Sequence, residues 1–166
     1  MIKRLLIIED DETFAGGLVR ALSRRGYSCM VGNDQDSALQ LCDSFCPSHI
    51  LLDLHLNEES GQALVLPIRQ KLPYCHLVIL TGYGSIPSTV QAMREGASYY
   101  LCKPATPEAI EEALDTTSAQ ISHSLHDLQE SHIQQVLKQC EGNISKTARV
   151  LGIDRRTLQR KLKNFL

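Results

Sequence analysis

Five short apolar runs, each followed by a stretch of helical periodicity, govern what this chain can become. The runs are Arg4 to Ile8, Ser28 to Val31, the stretch His49 to Leu56 around Asp53, His76 to Leu80 and Ser98 to Cys102. Continuous apolar runs of this length read as strands buried on both faces. Between them, Phe14, Leu18, Ala21 and Leu22 mark a helix from Thr13 to Arg25, stopped at Gly26. Ala38, Leu41, Cys42 and Phe45 mark a second from Asp34, closed by Pro47. A third helix is expected from Gly61 to Leu72, made irregular by Pro67, since an interior proline costs about 3 kcal/mol. A fourth runs from Pro87 to Glu95, and a fifth starts at Thr106-Pro107-Glu108 with an N-cap hydroxyl, a proline at N1 and an acid in the first turn.

Strands alternating with helices predict a parallel sheet with helices on both faces. Over residues 1–118 the rhythm suits an α/β fold, a flavodoxin-like, doubly wound, five-stranded sheet of order 2-1-3-4-5. Its ligand crevice lies outside the carboxyl ends of strands 1 and 3. Those ends carry Glu9-Asp10 and Asp53, so three acids distant in sequence are expected at one rim. Clustered carboxylates repel one another unless one holds a proton or a cation lies among them. Hard oxygen ligands with open positions suit magnesium. Thr81 ends strand 4 with a hydroxyl and Lys103 ends strand 5 with a point charge. Together they suit the oxygens of a phosphoryl group in transfer, with Asp53 as nucleophile. Any one of these residues alone reads as a solvated loop position; all of them on one edge do not.

These residues resemble the receiver domain of bacterial response regulators, the CheY-like fold, over roughly residues 2–118. Glu9-Asp10, Asp53, Thr81-Gly82 and Lys103-Pro104 stand in that family's order and at its spacing. The resemblance implies that Asp53 is a phosphoacceptor loaded by a sensor histidine kinase. It implies a Mg2+ ion held by Asp10, Asp53 and the backbone carbonyl of His55, with Glu9 acting through water. Thr81 and Lys103 would contact the phosphoryl group, Gly82 would leave it room, and Tyr100 would be the switch aromatic. A cis Lys103-Pro104 bond is expected, and His55 and Tyr83 stand where the family tunes phosphate lifetime. A magnesium-dependent phosphatase with an aspartate nucleophile fits less well, because it wants a second acid where His55 stands.

Charge divides the chain unevenly. From Ile144 to Leu166 there are seven Lys/Arg against Asp154 alone, a net of +6. The preceding 143 residues hold ten Lys/Arg against eighteen Asp/Glu, a net of −8, so the whole chain carries −2. An acidic body with a basic tail implies a tail that meets a polyanion. Residues 119–128 are expected to form a linker, in which Ile121, Leu125 and Leu128 keep the spacing of an apolar helical seam. Residues 129–166 then predict a small all-α domain: Ile133, Val136, Leu137 and Cys140 on one helix face, Asn143 and Asp154 as caps, Gly152 at a turn. Two short helices joined by a glycine turn form a helix-turn-helix. The last helix carries Arg155, Arg156, Thr157, Gln159, Arg160 and Lys163 toward double-stranded DNA.

The segment from Asn143 to Leu162 resembles the DNA-binding end of the nucleoid protein Fis and of NtrC-type activators. A receiver joined directly to such a module is similar to the RegA/PrrA/ActR group of regulators. That resemblance implies a DNA-binding response regulator of a two-component system, a homodimer at least when phosphorylated, with no enzymatic activity beyond slow loss of its own phosphate. The alternative is a phosphorelay or protein-interaction module whose tail only dimerises.

No apolar stretch approaches the roughly 20 residues of a membrane span, and the N-terminal apolar run is too short for a signal peptide, so a cytoplasmic protein is expected. The six cysteines lack a CxxC pair and read as reduced thiols. Cys42, Cys46 and His49 fall short of the four ligands a tight zinc site wants.

Overall fold

The computed structural model describes residues 3–56, 59–82, 86–116, 133–134 and 136–164. The order is β1 (Lys3–Ile8), α1 (Glu12–Ser23), β2 (Tyr27–Gly32), α2 (Gln35–Ser44), β3 (His49–Leu52), β4 (His55–Leu56) and β5 (Glu59–Ser60). A 3-10 turn (Gly61–Leu64), α3 (Val65–Lys71), β6 (His76–Thr81), α4 (Ile86–Arg94), β7 (Tyr99–Cys102) and α5 (Pro107–Asp115) follow. The main sheet is parallel, in the order β2-β1-β3-β6-β7, which is the expected 2-1-3-4-5.

Alternation along the central strands sorts the core into two layers. Leu6, Ile8, Ile50, Leu52, Leu77 and Ile79 face α2, α3 and α4 through Ala38, Cys42, Val65, Ile68 and Ala92. Leu5, Ile7, Leu51, Val78 and Leu80 face α1 and α5 through Leu18, Leu22, Ile110 and Leu114. Each such side chain contributes about 1.5–3 kcal/mol on burial. A one-residue slip of any strand would exchange the layers, so the register that brings the strand ends together is firmly set.

Local chemistry caps three helix starts, of which the one at Thr106 was expected. Asp11 accepts from the backbone N–H groups of Thr13 and Phe14, Asp34 forms a reciprocal capping box with Ser37, and Thr106 accepts from Ala109 with Pro107 behind it. Pro67 is tolerated because the chain first makes the 3-10 turn. The proline then falls in the first turn of α3, where a missing N–H loses no intrahelical bond. The antiparallel β4-β5 pair was not expected; it folds the chain back directly after Asp53. The linker 119–128, its proposed seam and Tyr83 lie outside the described residues.

At the opposite end of the sheet from the acids, His49 and His76 are cross-strand partners with ring centroids 6.1 Å apart. The Tyr27 ring meets His49 edge-on, and Asp115 accepts from Tyr27 Oη at 2.9 Å and Lys3 Nζ at 2.5 Å. Burial pushes the His49 pKa down, helped by His76 and Lys3 and opposed by Asp115. Burial also lowers His76, with Arg69 acting the same way and the Ala113 carbonyl and Asp115 opposing. A histidine whose folded pKa lies below its unfolded value of about 6.5 contributes stability that is full above that value and lost as pH falls through the folded one. The urea midpoint should therefore fall between pH 7.5 and 5, and fall less in a His49→Gln/His76→Gln variant. Equal pH slopes in both proteins would refute this.

In the C-terminal part, helical residues 136–139 precede α6 (Ile144–Val150) and α7 (Arg155–Asn164). Gly142 and Gly152 take the left-handed backbone, at φ +78° and +64°, where a side chain would be strained. Ile133, Val136, Cys140, Ala148, Leu151 and Leu158 form a third, small core, against which Val90 of α4 packs.

Candidate phosphoryl-acceptor site and nucleic-acid interface

Asp53 follows β3 directly, its backbone N–H still bonded to Ile8 in the ladder at 3.0 Å. Glu9 follows β1 in the same way, bonded to Gly32 at 3.1 Å. Sheet register thus sets both carboxylates at one rim, and both are buried, at 4% exposure for Glu9 and 6% for Asp53. Lys103, just past β7, reaches between them: Nζ donates to Glu9 Oε2 and to Asp53 Oδ2, each at 2.6 Å. The other oxygen of Asp53, Oδ1, accepts from the His55 backbone N–H at 2.9 Å. Both oxygens of the carboxylate are therefore held in fixed directions.

Of the three carboxylates expected at this rim, Glu9 and Asp53 are bridged by Lys103. Among the described residues no group of three His, Cys, Asp or Glu side chains stands ready for a metal ion. The Lys103 ammonium relieves the repulsion between Glu9 and Asp53. Asp10, next in the chain, is half-buried and has interactions of its own.

Burial raises the Glu9 pKa, and the attraction of Lys103 only partly offsets it. Burial also opposes the charged form of Lys103, but its bonds to Asp53 and Glu9 outweigh that and raise its pKa above the usual lysine range. Two carboxylates and one ammonium leave a negative charge uncompensated in a poorly solvated rim, before Asp10 is counted. The donor atoms are hard oxygens, a set that fits a small divalent cation.

Thr81 ends β6 fully buried, and its Oγ1 has no hydrogen-bond partner among the described residues. A buried hydroxyl without a partner costs about 1–3 kcal/mol, so it is a donor poised for an incoming oxygen. A Cβ built on Gly82 would meet nothing within 4 Å among the described residues, so the position beside Thr81 is open to them. Tyr100 is turned inward at 2% exposure. Burial, followed by Cys102, pushes its phenol pKa upward. The Lys103-Pro104 bond is cis.

Two residues at this rim were not singled out from the sequence. Gly61 presses against the acceptor loop: a Cβ there would lie 2.0 Å from the Asp53 carbonyl oxygen and 2.9 Å from Leu54 Cα. Phe14, read only as an apolar helix position, places its ring centroid 4.2 Å from Lys103 Nζ. Neither has a local signal, because both act across tertiary contacts.

In the basic C-terminal region, Asn143 Oδ1 caps α6 through Lys146 N–H at 3.0 Å. Asp154 caps α7 through the N–H groups of Arg156 and Thr157, at 3.0 and 3.2 Å. Arg155, Arg156, Gln159, Arg160 and Lys163 are exposed on α7, as expected. Thr157 differs: its hydroxyl donates to Asp154 Oδ2 at 2.8 Å and serves the cap. Arg156, Gln159, Arg160 and Lys163 border an open groove of about 580 Å³ with Ile144 and Leu162 at its base.

Comparison with known proteins agrees with both halves of this arrangement. The family described as "Response regulator receiver domain" matches residues 5–115, and "Bacterial regulatory protein, Fis family" matches residues 124–165. The photosynthetic apparatus regulatory protein RegA of Rhodovulum sulfidophilum is 36% identical, over 94% of this chain and 88% of its own length. The acid tolerance regulatory protein ActR of Rhizobium meliloti is also 36% identical, over 95% of this chain and 84% of its own. A crystal structure of a response regulator from Burkholderia pseudomallei, with a phosphorylated aspartic acid, calcium ion and citrate, superimposes with a TM-score of 0.73. It is 44% identical and covers 96% of this chain and 98% of that one. Strand-end acids, a strand-end lysine and a capped basic helix thus meet in one chain, which belongs to the DNA-binding response regulators that join a receiver domain to a Fis-type helix-turn-helix.

Proposed function

We propose that Asp53 accepts a phosphoryl group from a sensor histidine kinase and that this event controls dimerisation and DNA binding through α7. The observation that carries the reading is the Lys103 ammonium, 2.6 Å from both Glu9 and Asp53, on the rim where the Thr81 hydroxyl is buried without a partner among the described residues. In transfer, an Asp53 oxygen attacks phosphorus, the phosphorus–nitrogen bond to the kinase histidine breaks, and the imidazole leaves with a proton from solvent. Lys103 and Thr81 donate to the phosphoryl oxygens, and Gly82 leaves them space. Glu9, Asp10, Asp53 and the His55 carbonyl would hold Mg2+, which when bound supplies positive charge to those oxygens. The chemistry is turnover of the protein's own aspartyl phosphate.

Thr81, drawn toward the phosphate, would free volume for Tyr100 and bias the α4 side of the domain. Coupling of this kind is typically worth about 1–3 kcal/mol. The domain division follows the same reading: receiver 1–118, linker 119–128, helix-turn-helix 129–166. A dimer would set two α7 helices about 34 Å apart, one turn of B-DNA. Kinase and DNA together imply a cytoplasmic site of action; no described helix is long and apolar enough to cross a membrane.

The test is to incubate the chain with acetyl phosphate and magnesium, following the phosphoprotein on phosphate-affinity gels and promoter binding by mobility shift. Wild type should be modified and bind more tightly, and Asp53→Asn should not be modified. Arg156→Ala should be modified normally yet lose about tenfold or more in DNA affinity, the span of one good base contact. Modification that persists in Asp53→Asn would overturn the acceptor assignment. Undiminished DNA binding by Arg156→Ala, with dimerisation intact, would favour a tail that only dimerises.

A further inference from the structure

The Lys103 ammonium has a third neighbour besides the two carboxylates: the face of the Phe14 ring, 4.2 Å from Nζ to centroid. Three features fix that ring. The Phe14 backbone N–H is tied to the N-cap Asp11 at 3.0 Å, α1 starts there without slack, and the ring packs against the layer formed by Leu5, Ile7, Val78 and Leu80. The lysine arrives from the far side of the fold, at the end of β7, so only folding brings the two together. Lys103 is itself well covered, with 21% of its side chain exposed, so the contact is largely desolvated.

An ammonium has three donors. Two point at Glu9 Oε2 and Asp53 Oδ2. The negative face of an aromatic ring attracts a cation without offering a directional acceptor. It can hold Nζ near the acceptor while leaving its N–H groups free to exchange between oxygens. A carboxylate or amide in the place of Phe14 would compete for those groups; an aliphatic side chain would fill the space without attracting the charge.

We propose that Phe14 is a positioning residue for phosphoryl transfer, its ring face keeping the Lys103 ammonium over the acceptor as it passes from the carboxylates to the incoming phosphoryl oxygens. The inference rests on the reading of Asp53 as phosphoacceptor and deepens it. Phe14 touches no reacting atom; it acts through Lys103.

The test uses the full chain, acetyl phosphate and magnesium, and the initial rate of Asp53 modification. Position 14 carries phenylalanine, its mono-, di- and trifluorinated analogues, tyrosine or leucine. Fluorination drains the ring face of negative charge while keeping shape and burial close to native, so a merely structural role would leave the series flat. The expected result is a graded fall with each fluorine, with Phe14→Tyr within about twofold of wild type. Phe14→Leu should be slower by roughly two- to thirtyfold, the span of one cation–π contact. Thermal melts identify any variant that loses rate only by unfolding. A flat fluorine series, or Phe14→Leu at the wild-type rate, overturns the Phe14 assignment and leaves Asp53 as acceptor. A wild-type chain that takes no phosphoryl group overturns the underlying reading and this inference with it.

Discussion

Replacing Gly61 by alanine should cost this protein about 3 kcal/mol of stability and most of its capacity to take a phosphoryl group. The three nearest atoms to a Cβ at that position are all backbone: Asp53 O at 2.0 Å, Leu54 Cα at 2.9 Å and Asp53 C at 3.0 Å. No flexible side chain can swing aside, so the loop that carries the acceptor must itself move. Two hydrogen bonds resist that movement, Asp53 N–H to Ile8 and Gly61 N–H to Leu54, at 3.0 and 2.9 Å. Overpacking of a well-filled site costs about 1–3 kcal/mol, and here the upper end applies because only backbone can yield. For a domain of this size the melting temperature should drop by roughly 10 °C. The same shift would displace Asp53 from Lys103, and a misplacement of about 1 Å can cost 10²-fold in rate. Gly17→Ala in α1 is the control, since its Cβ would meet only the far end of the Arg20 side chain, at 4.0 Å. Differential scanning calorimetry and acetyl phosphate loading read both effects. A Gly61→Ala protein that melts within a degree of wild type would refute the argument.

Gly61 also marks where the sequence ceased to be legible. The sheet order, the strand-end acids and the helix caps follow from chemistry within a few residues. Apolar alternation sets the strands, and Asp11, Asp34 and Thr106 each bond donors within three positions of themselves. The basic face of α7 could be read in the same way, from charge and a cap at Asp154. What could not be read depends on contacts across the fold. Lys103 stands 94 residues from Glu9 and 50 from Asp53 in the chain. Its identity is visible at a strand end, but the bridge it makes between Glu9 and Asp53 exists only after folding. The β4-β5 pair is two residues per strand, too short to carry a periodic signal, yet it sets Gly61 against the acceptor loop. Arg69 is a further case: it donates to the Cys75 and Gly96 carbonyls at 2.7 and 2.5 Å and pins the turn before β7. In the sequence it was only a charged residue of an irregular helix.

Lys103→Met should separate the two duties of this lysine, and the separation can be followed with pH. Methionine keeps the stem's volume but leaves Glu9 and Asp53 buried without their shared cation. Removing one partner of a buried ion pair costs about 3–5 kcal/mol; with the lysine side chain 21% exposed, about 3 kcal/mol is expected at pH 7.5. Burial already raises Glu9, and the two largest opposing effects, a hydrogen bond and an attraction, both come from Lys103, with the Asp11 backbone N–H adding a smaller one. Without Lys103 the Glu9 pKa rises further. A group whose folded pKa exceeds its unfolded value contributes stability below the unfolded value and loses it as pH rises through the folded one. The deficit of the variant relative to wild type should therefore be small near pH 4 and grow steadily toward pH 8. Glu9→Gln added to Lys103→Met should remove most of that growth, because an amide has no charge to strand. Magnesium should restore more stability to Lys103→Met than to wild type, since the variant has the larger uncompensated charge. Loading of Asp53 should still fall by about 10²–10³-fold, the usual consequence of losing a charged donor to the reacting oxygens. Urea titrations at a series of pH values, with and without magnesium, together with initial loading rates, measure every part of this. A deficit that stays constant with pH would mean that Lys103 acts through packing alone, and an undiminished loading rate would remove it from the transfer.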